Sequence, residues 1–131
     1  MGIFTSLFGG NKEGNAKEEN ELPWIALTDV AQLNEIAEKS QTKTQIIFKH
    51  STSCGISRMV LKMFKGSYSL TKEQVDLYYL DLLQYRNVSN ETGYKFQVMH
   101  QSPQLLVIKN GIAVGHQSHG AINELNLEQY I

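Results

Sequence analysis

The pattern of apolar and polar positions divides the chain into short strands and helices that alternate. Residues 45–49 contain the apolar run 46–48 without alternation, which predicts a compact strand buried on both faces at the centre of a sheet. Further on, apolar residues recur three and four positions apart, which predicts a helix that ends near Gly66. The predicted apolar face of this helix consists of Ile56, Met59, Val60, Met63 and Phe64.

The other predicted elements continue this alternation. Thr28 offers a hydroxyl cap to the first helix, whose apolar face carries Val30, Leu33, Ile36 and Ala37. That helix is predicted to run to about residue 40. A weaker helix is predicted at 87–98, and the remaining predictions are strands at 24–27, 75–80 and 104–109.

The C-terminal part of the chain adds a hairpin to this order. Asn110-Gly111 is a strong signal for a two-residue turn, so residues 112–116 are predicted to return antiparallel to the preceding strand. Residues 121–131 are predicted to close the chain as a helical segment. The sequence therefore predicts an α/β fold with a mixed central sheet, a C-terminal antiparallel hairpin and helices on both faces, which is the thioredoxin-like arrangement.

The N-terminal residues differ from the rest in composition. Residues 9–21 are polar, charged and contain glycine, which predicts a flexible tail over residues 1–21 and a folded thioredoxin-like domain over residues 22–131. The first ten residues are apolar and lack a basic segment, so no signal peptide is predicted. They fit the loose N-terminal acylation pattern Met-Gly-x-x-x-Ser. A short apolar segment that contacts a partner, a membrane surface or nothing accounts for the same residues.

Composition and charge narrow the function classes. The 131 residues are 41% hydrophobic and 19% charged, as in an ordinary soluble domain, and the formal net charge of −1 argues against nucleic-acid binding. No apolar run approaches the about 20 residues of a membrane span. A single cysteine excludes an internal disulfide and favours a reducing, cytoplasmic location. His50, His100 and His116 follow no metal-ligand spacing, so no metal site with Cys54 is predicted.

Cys54 lies between a predicted buried strand and the predicted start of a helix, after the polar residues 51–53. Unpaired N–H groups and the dipole at a helix start favour the thiolate, which is the reactive form in thiol–disulfide exchange. Gly55 and Ile56 follow, and Ser57 occupies the place of the second cysteine in a Cys-x-x-Cys pair. We expect its hydroxyl to donate to the thiolate. These features favour a one-thiol redox site over an inert buried cysteine.

Two other segments are candidate walls of a thiol site. Ser102-Pro103 directly precedes a predicted strand, where either a trans or a cis peptide bond is compatible with the sheet and trans is the commoner. Ser118-His119-Gly120 follows the predicted hairpin. Its backbone N–H groups are either a cradle for an anion or thiol ligand, or a simple turn and helix cap.

Taken in order, these three segments resemble the YtxJ-type monothiol bacilliredoxin family of the thioredoxin-like superfamily. The segment leading into the cysteine, Phe48-Lys49-His50-Ser51-Thr52, is especially similar to that family. The resemblance covers residues 23–131. It implies that Cys54 is the redox cysteine, that Pro103 is a cis-proline facing it, that Ser57 stands at the vacated resolving position, and that the backbone of Ser102 pairs with a thiol ligand.

The resemblance also implies an activity and its partners. The family is associated with the low-molecular-weight thiol bacillithiol, so the implied function is removal of this thiol from S-thiolated client proteins. Cys54 would accept the small thiol as a mixed disulfide, and another thiol or a reductase would release it. Bacillithiol is then a co-substrate, and no tightly bound cofactor is implied.

Two other functions stay open. Cys54-Gly55-Ile56-Ser57 is also similar to the Cys-Gly-Phe-Ser of monothiol glutaredoxins, which hold a [2Fe–2S] cluster between two subunits with glutathione. The basic residue and proline that lead into that motif are not found here. The other alternative is a non-enzymatic thioredoxin-like interaction module whose cysteine is unreactive. The sequence does not select among bacillithiol, glutathione and coenzyme A as the small thiol.

Overall fold

A five-stranded mixed sheet organises residues 22–131, the part of the chain that this computed structural model describes. The predicted tail over residues 1–21 lies outside the described residues. Two short 3-10 helices, His119–Glu124 and Leu127–Tyr130, follow the last strand. The strands and α-helices are β1 (Trp24–Ala26), α1 (Ala31–Lys39), β2 (Thr44–His50), α2 (Gly55–Ser67), β3 (Val75–Asp81), α3 (Arg86–Phe96), β4 (Gln104–Lys109) and β5 (Ile112–Ser118).

The strand order is β1-β3-β2-β4-β5, which places β2 at the centre of the sheet. The first three strands of this order pair in parallel, and β4 and β5 join as antiparallel neighbours. All seven residues of β2 are buried, so the predicted central strand is confirmed. Asn110 and Gly111 both have positive φ, 54° and 79°, as a type I′ hairpin turn requires. The predicted α/β thioredoxin-like class is confirmed.

Alternate residues of β2 serve the two faces of the sheet. Ile47 packs on one side into a cluster that α1 and α3 cover, while Ile46 and Phe48 face α2 on the other side. This alternation follows from the two-residue period of a strand. The helix contributions are Leu33, Ile36, Val88 and Phe96 on the first side and Val60, Leu61 and Phe64 on the second.

The predicted apolar face of α2 is wrong by part of a turn. Val60 and Phe64 are buried as expected, but Ile56, Met59 and Met63 are each more than half exposed. The buried face instead consists of Ser57, Val60, Leu61 and Phe64, which also follow helical spacing. A polar residue, Ser57, thus lies on the buried face because its hydroxyl finds hydrogen-bond partners there.

Two predicted helix ends are also corrected. Thr28 does not cap α1; Val30 is the N-cap residue, and the Oδ1 of Asp29 accepts from the amide of Ala31 at 2.9 Å. The predicted helical segment at 121–131 is two 3-10 helices and no α-helix. In that region Tyr130 packs over Gly115, where a Cβ would lie 2.7 Å from the Cζ of the tyrosine. Tyr130, near the end of the described chain, therefore packs directly against the backbone of β5.

Candidate functional site

Cys54 is the N-cap residue of α2, at the position that the sequence predicts. Its backbone is extended, with φ −102° and ψ 124°, and its carbonyl accepts the first helical hydrogen bond from the amide of Arg58 at 3.0 Å. The amide of Cys54 donates to the carbonyl of Ser51 at 3.2 Å, which closes a tight loop after β2. The thiol is free and half-buried. It therefore stands where the unpaired amides of the first helical turn begin.

Arg58 adds a positive charge to this loop. Its Nη1 donates to the carbonyl of Thr52 at 3.2 Å, which holds the guanidinium against the residues that precede Cys54. A Cβ placed on Gly55 would lie 3.9 Å from Nη2 of the same arginine, an ordinary contact. Steric crowding therefore does not require glycine at position 55, and the room beside Cys54 is available to a larger residue.

Ser57 is hydrogen-bonded to the residues at the end of β2 that lead into the loop of Cys54. Its side chain is fully buried, and its Oγ accepts from the amide of Ser51 at 3.0 Å and contacts Nδ1 of His50 at 2.7 Å. The hydroxyl of Ser57 can donate its own proton to an unprotonated Nδ1 of His50 or accept one from a protonated Nδ1, and the imidazole tautomer decides between them. In the described part of the chain, Ser57 therefore fixes the loop that carries Cys54, and the predicted hydrogen bond to the thiolate is not present.

His50 is suited to this contact because it favours the neutral form. The side chain is buried, and burial lowers the pKa of His50 below its usual value. The charges of Lys65 and Arg58 lower this pKa further, and the carboxylate of Asp81 opposes them. A neutral imidazole can accept the hydroxyl proton of Ser57 at Nδ1, so the pair is a buried hydrogen bond between uncharged groups.

Replacement of Ser57 by alanine should weaken the fold. It leaves the buried amide of Ser51 and the Nδ1 of His50 without their hydrogen-bond partner, which costs about 1–3 kcal/mol. Urea denaturation of wild type and variant measures the loss. Ser67→Ala, at the exposed end of the same helix, is the matched control and should change stability by less than about 0.5 kcal/mol. Equal losses in the two variants would contradict this account of Ser57.

The two candidate walls lie together at one edge of the sheet. The peptide bond between Ser102 and Pro103 is cis, and the carbonyl of Pro103 accepts from the amide of His119 at 3.0 Å. Ser118, the last residue of β5, is paired in register with Gln104. The amide of His119 is therefore engaged with Pro103, and this N–H is not free for the predicted anion cradle.

Gly120 follows the contact between His119 and Pro103 along the chain. It is exposed, and a Cβ at this position would meet nothing within 4 Å. His119 is exposed as well, with a positive φ of 57°. The ordered part of the segment is therefore its backbone contact to Pro103.

Strand pairing sets the position of these walls relative to the cysteine. β4 runs antiparallel to β2, with Gln104 opposite Lys49, so β4 begins at the edge of the sheet where β2 ends. The loop to Cys54 leaves β2 at this same edge. The structure thus brings residues 51–57, 102–103 and 118–119 to one end of the sheet.

Lys49 and His100 are polar partners at this edge that the sequence did not assign to a common site. Lys49 is fully buried; its Nζ donates to the carbonyl of Ser89 at 3.2 Å and contacts Nδ1 of His100 at 3.3 Å. Burial lowers the pKa of Lys49 from 10.5 to about 8. A charged residue at the end of an otherwise apolar strand, Ile46-Ile47-Phe48-Lys49, is the signal that could have singled it out.

Neither a metal-binding cluster nor a membrane-spanning helix is found within residues 22–131. Within this range no group of three or more His, Cys, Asp or Glu side chains could hold a metal ion. None of the helices in the same range is long and apolar enough to cross a membrane.

The strand order, the cysteine at the start of α2 and the cis-proline before β4 define the class of thioredoxin-like proteins. The family model for the monothiol bacilliredoxin BrxC matches residues 25–127, and the chain belongs to this family. The predicted family is thereby confirmed. Family and fold together support a thiol–disulfide redox function.

Three solved structures are similar to the chain, one at 33% sequence identity and two at 19% and 20%. A protein proposed to be an oxidoreductase with a thioredoxin fold is 33% identical, with a TM-score of 0.68, over 82% of this chain and 92% of that one. The thioredoxin of Malassezia sympodialis is 19% identical (TM-score 0.58, covering 72% and 77%). The thioredoxin of Fasciola hepatica is 20% identical (TM-score 0.58, covering 81% and 94%). The two thioredoxins show the fold alone.

Proposed function

We propose that this protein removes a low-molecular-weight thiol from protein mixed disulfides by monothiol exchange at Cys54. The observation that carries the proposal is the position of the chain's single cysteine, which is the half-buried N-cap residue of α2. It lies at the edge of the sheet where β2 ends and where β4, which follows Pro103, begins. The sulfur lies where the unpaired amides of the first helical turn begin, and the thiolate is the nucleophile in thiol–disulfide exchange. Ser57, His50 and Ser51 hold the loop that presents it.

The first step is an exchange at sulfur. The Cys54 thiolate attacks the small-thiol sulfur of the client mixed disulfide, and a new bond forms between Cys54 Sγ and that sulfur. The bond to the client sulfur breaks, its electron pair leaves with the client as a thiolate, and a solvent proton neutralises it. The client is reduced, and Cys54 now carries the small thiol as a mixed disulfide.

The second step comes from outside the chain. Since the sequence contains one cysteine, no second thiol of this chain can resolve the mixed disulfide. A free small thiol, as its thiolate, attacks the small-thiol sulfur, displaces the Cys54 thiolate and forms a small-molecule disulfide. Overall, the external thiol and the transferred small thiol end as one disulfide, the client leaves as a thiol, and the protein returns to its starting state.

Membership of the bacilliredoxin family supports bacillithiol as the small thiol and S-thiolated proteins as clients. A cytoplasmic location fits this proposal, because a reducing compartment keeps Cys54 as a thiol and supplies the reductant.

Intact-mass analysis tests the identity of the small thiol. The reduced protein is incubated separately with the disulfides of bacillithiol, glutathione and coenzyme A at equal concentration. We expect the bacillithiol adduct at Cys54 to form at least about 10-fold faster than the adducts of glutathione and coenzyme A. A preference of this size corresponds to about 1.4 kcal/mol of selective contact with bacillithiol. Equal rates for all three would remove the choice of bacillithiol, and no adduct with any of them would remove the exchange function.

A further inference from the structure

Lys49 occupies an unusual place for a charged side chain. It lies in the central strand and is fully buried, and its two hydrogen-bond contacts in the described chain are to uncharged groups, the carbonyl of Ser89 and the imidazole of His100. A buried charge is normally paired with an opposite charge, because removal from water is costly. We therefore expect Lys49 to lower the stability of the fold, so that a role other than stability would account for it.

The contacts of Lys49 lead to the segment that precedes the cis-proline. An ammonium group has donors only, so Nδ1 of His100 accepts from it, and Ser89 Oγ lies 3.4 Å from the same nitrogen. Burial and the positive charges of Lys49 and Arg86 lower the pKa of His100, which keeps Nδ1 available as an acceptor. His100 is thus held by β2 and by α3.

Gln104 forms a second hydrogen bond to the same segment. It is paired with Lys49 across the antiparallel strands β2 and β4, and its Nε2 donates to the carbonyl of Met99 at 2.9 Å. Its Oε1 is buried and has no hydrogen-bond partner in the described structure. The carbonyl of Met99 and the imidazole of the exposed residue His100 are therefore hydrogen-bonded to the buried residues Gln104 and Lys49, and His100 lies two positions before Ser102.

We propose that Lys49 is a positioning residue that holds the Ser102–Pro103 wall of the thiol site through its contact with His100. The proposal rests on the proposed function, because the wall matters only if a thiol ligand is bound against it. Lys49 touches neither the cysteine nor the ligand in this account. Its ammonium holds the imidazole of His100, Gln104 holds the carbonyl of Met99, and these two contacts together fix the orientation of the following cis-proline turn.

The test compares Lys49→Met with wild type in three measurements. The first is the rate of adduct formation at Cys54 with the fastest-reacting small-thiol disulfide, which should fall about 10-fold because the wall is misplaced. The second is the alkylation rate of Cys54 by iodoacetamide, which needs no wall and should stay within about twofold. The third is hydrogen exchange at the amide of His119, which bonds to Pro103 and should exchange about 10-fold faster.

Companion variants separate positioning from a general loss of structure. His100→Ala should reproduce the effects of Lys49→Met, and the double variant should be no slower than either single one, because both remove the same contact. His100→Asn keeps an acceptor oxygen near the position of Nδ1 and should recover most of the rate. Lys43→Met removes a different ammonium, which binds Asp76 at 2.9 Å, and should leave all three measurements unchanged.

Unchanged adduct formation together with unchanged exchange at His119 in Lys49→Met would overturn the proposal. A parallel fall in adduct formation, alkylation and thermal midpoint would also overturn it, because it would show a purely structural role. If wild type forms no adduct but exchange at His119 still rises in the variant, the proposed function fails while the tie between Lys49 and the proline turn stands.

Discussion

Cys54→Ser is expected to form no adduct with any small-thiol disulfide and to release no small thiol from an S-thiolated client. The hydroxyl of serine is far less acidic than a thiol and does not exchange with disulfides, so the loss should reach the detection limit, at least about 1,000-fold. Intact mass follows the adduct, and a client protein carrying a labelled small thiol follows its release. No other residue of the chain can replace the sulfur, since the sequence has one cysteine.

The fold should tolerate this change. Cys54 is half-buried and its side chain makes no capping hydrogen bond, while serine is a favourable N-cap residue. The urea midpoint of the variant should therefore equal or exceed that of wild type. A variant that stays folded and still transfers the thiol would contradict the mechanism, and an unfolded variant would contradict the account of the helix start.

Lys49→Met is expected to make the protein more stable at neutral pH. The pKa of Lys49 falls from 10.5 to about 8 on burial, and at 1.36 kcal/mol per pH unit this difference corresponds to about 3 kcal/mol. Methionine fills a similar unbranched volume without a charge. After loss of the hydrogen bonds to Ser89 and His100, a gain of about 1 kcal/mol remains in the free energy of unfolding.

The gain should depend on pH in a definite direction. Below pH 8 the lysine is charged in both folded and unfolded states, and the full cost of burial is present. Between pH 8 and 10.5 the unfolded chain binds more protons than the folded chain, so the stability of wild type rises toward that of the variant. Urea denaturation at pH 7, 8.5 and 9.5 should show a shrinking difference between the two proteins.

Lys43→Met serves as the control for this measurement. Lys43 is partly exposed and forms an ion pair with Asp76 at 2.9 Å, so its loss should cost up to about 1 kcal/mol at each pH. A Lys49→Met protein less stable than wild type at pH 7 would show that the buried ammonium stabilises the fold. That result would remove the main reason for assigning it a role outside stability.

Much of the site follows from local sequence pattern. The apolar run before Cys54, the polar loop and the helical spacing after it predict a cysteine at a helix start, because strand and helix periods are properties of neighbouring residues. Asn110-Gly111 predicts its turn for the same reason, since both residues tolerate positive φ. These predictions need no knowledge of distant contacts.

The partners of Ser57 needed the tertiary structure. Helical spacing alone allows two overlapping apolar faces on α2, and the sequence prediction placed Ile56 and Met59 inside. The face is decided by how α2 packs on β2, where a buried serine is satisfied by His50 and the amide of Ser51. The hydroxyl of Ser57, predicted from the sequence to donate to the cysteine, is thus part of the scaffold.

By itself the sequence determined the order of strands and helices, the class of fold and the position of Cys54, because local periodicity and a single cysteine carry that information. Only the tertiary structure decided which groups surround the site. Lys49 and His100 are 51 positions apart and meet because β2, α3 and the segment before β4 pack together. The direction of each side chain depends on that packing, and no local pattern specifies it.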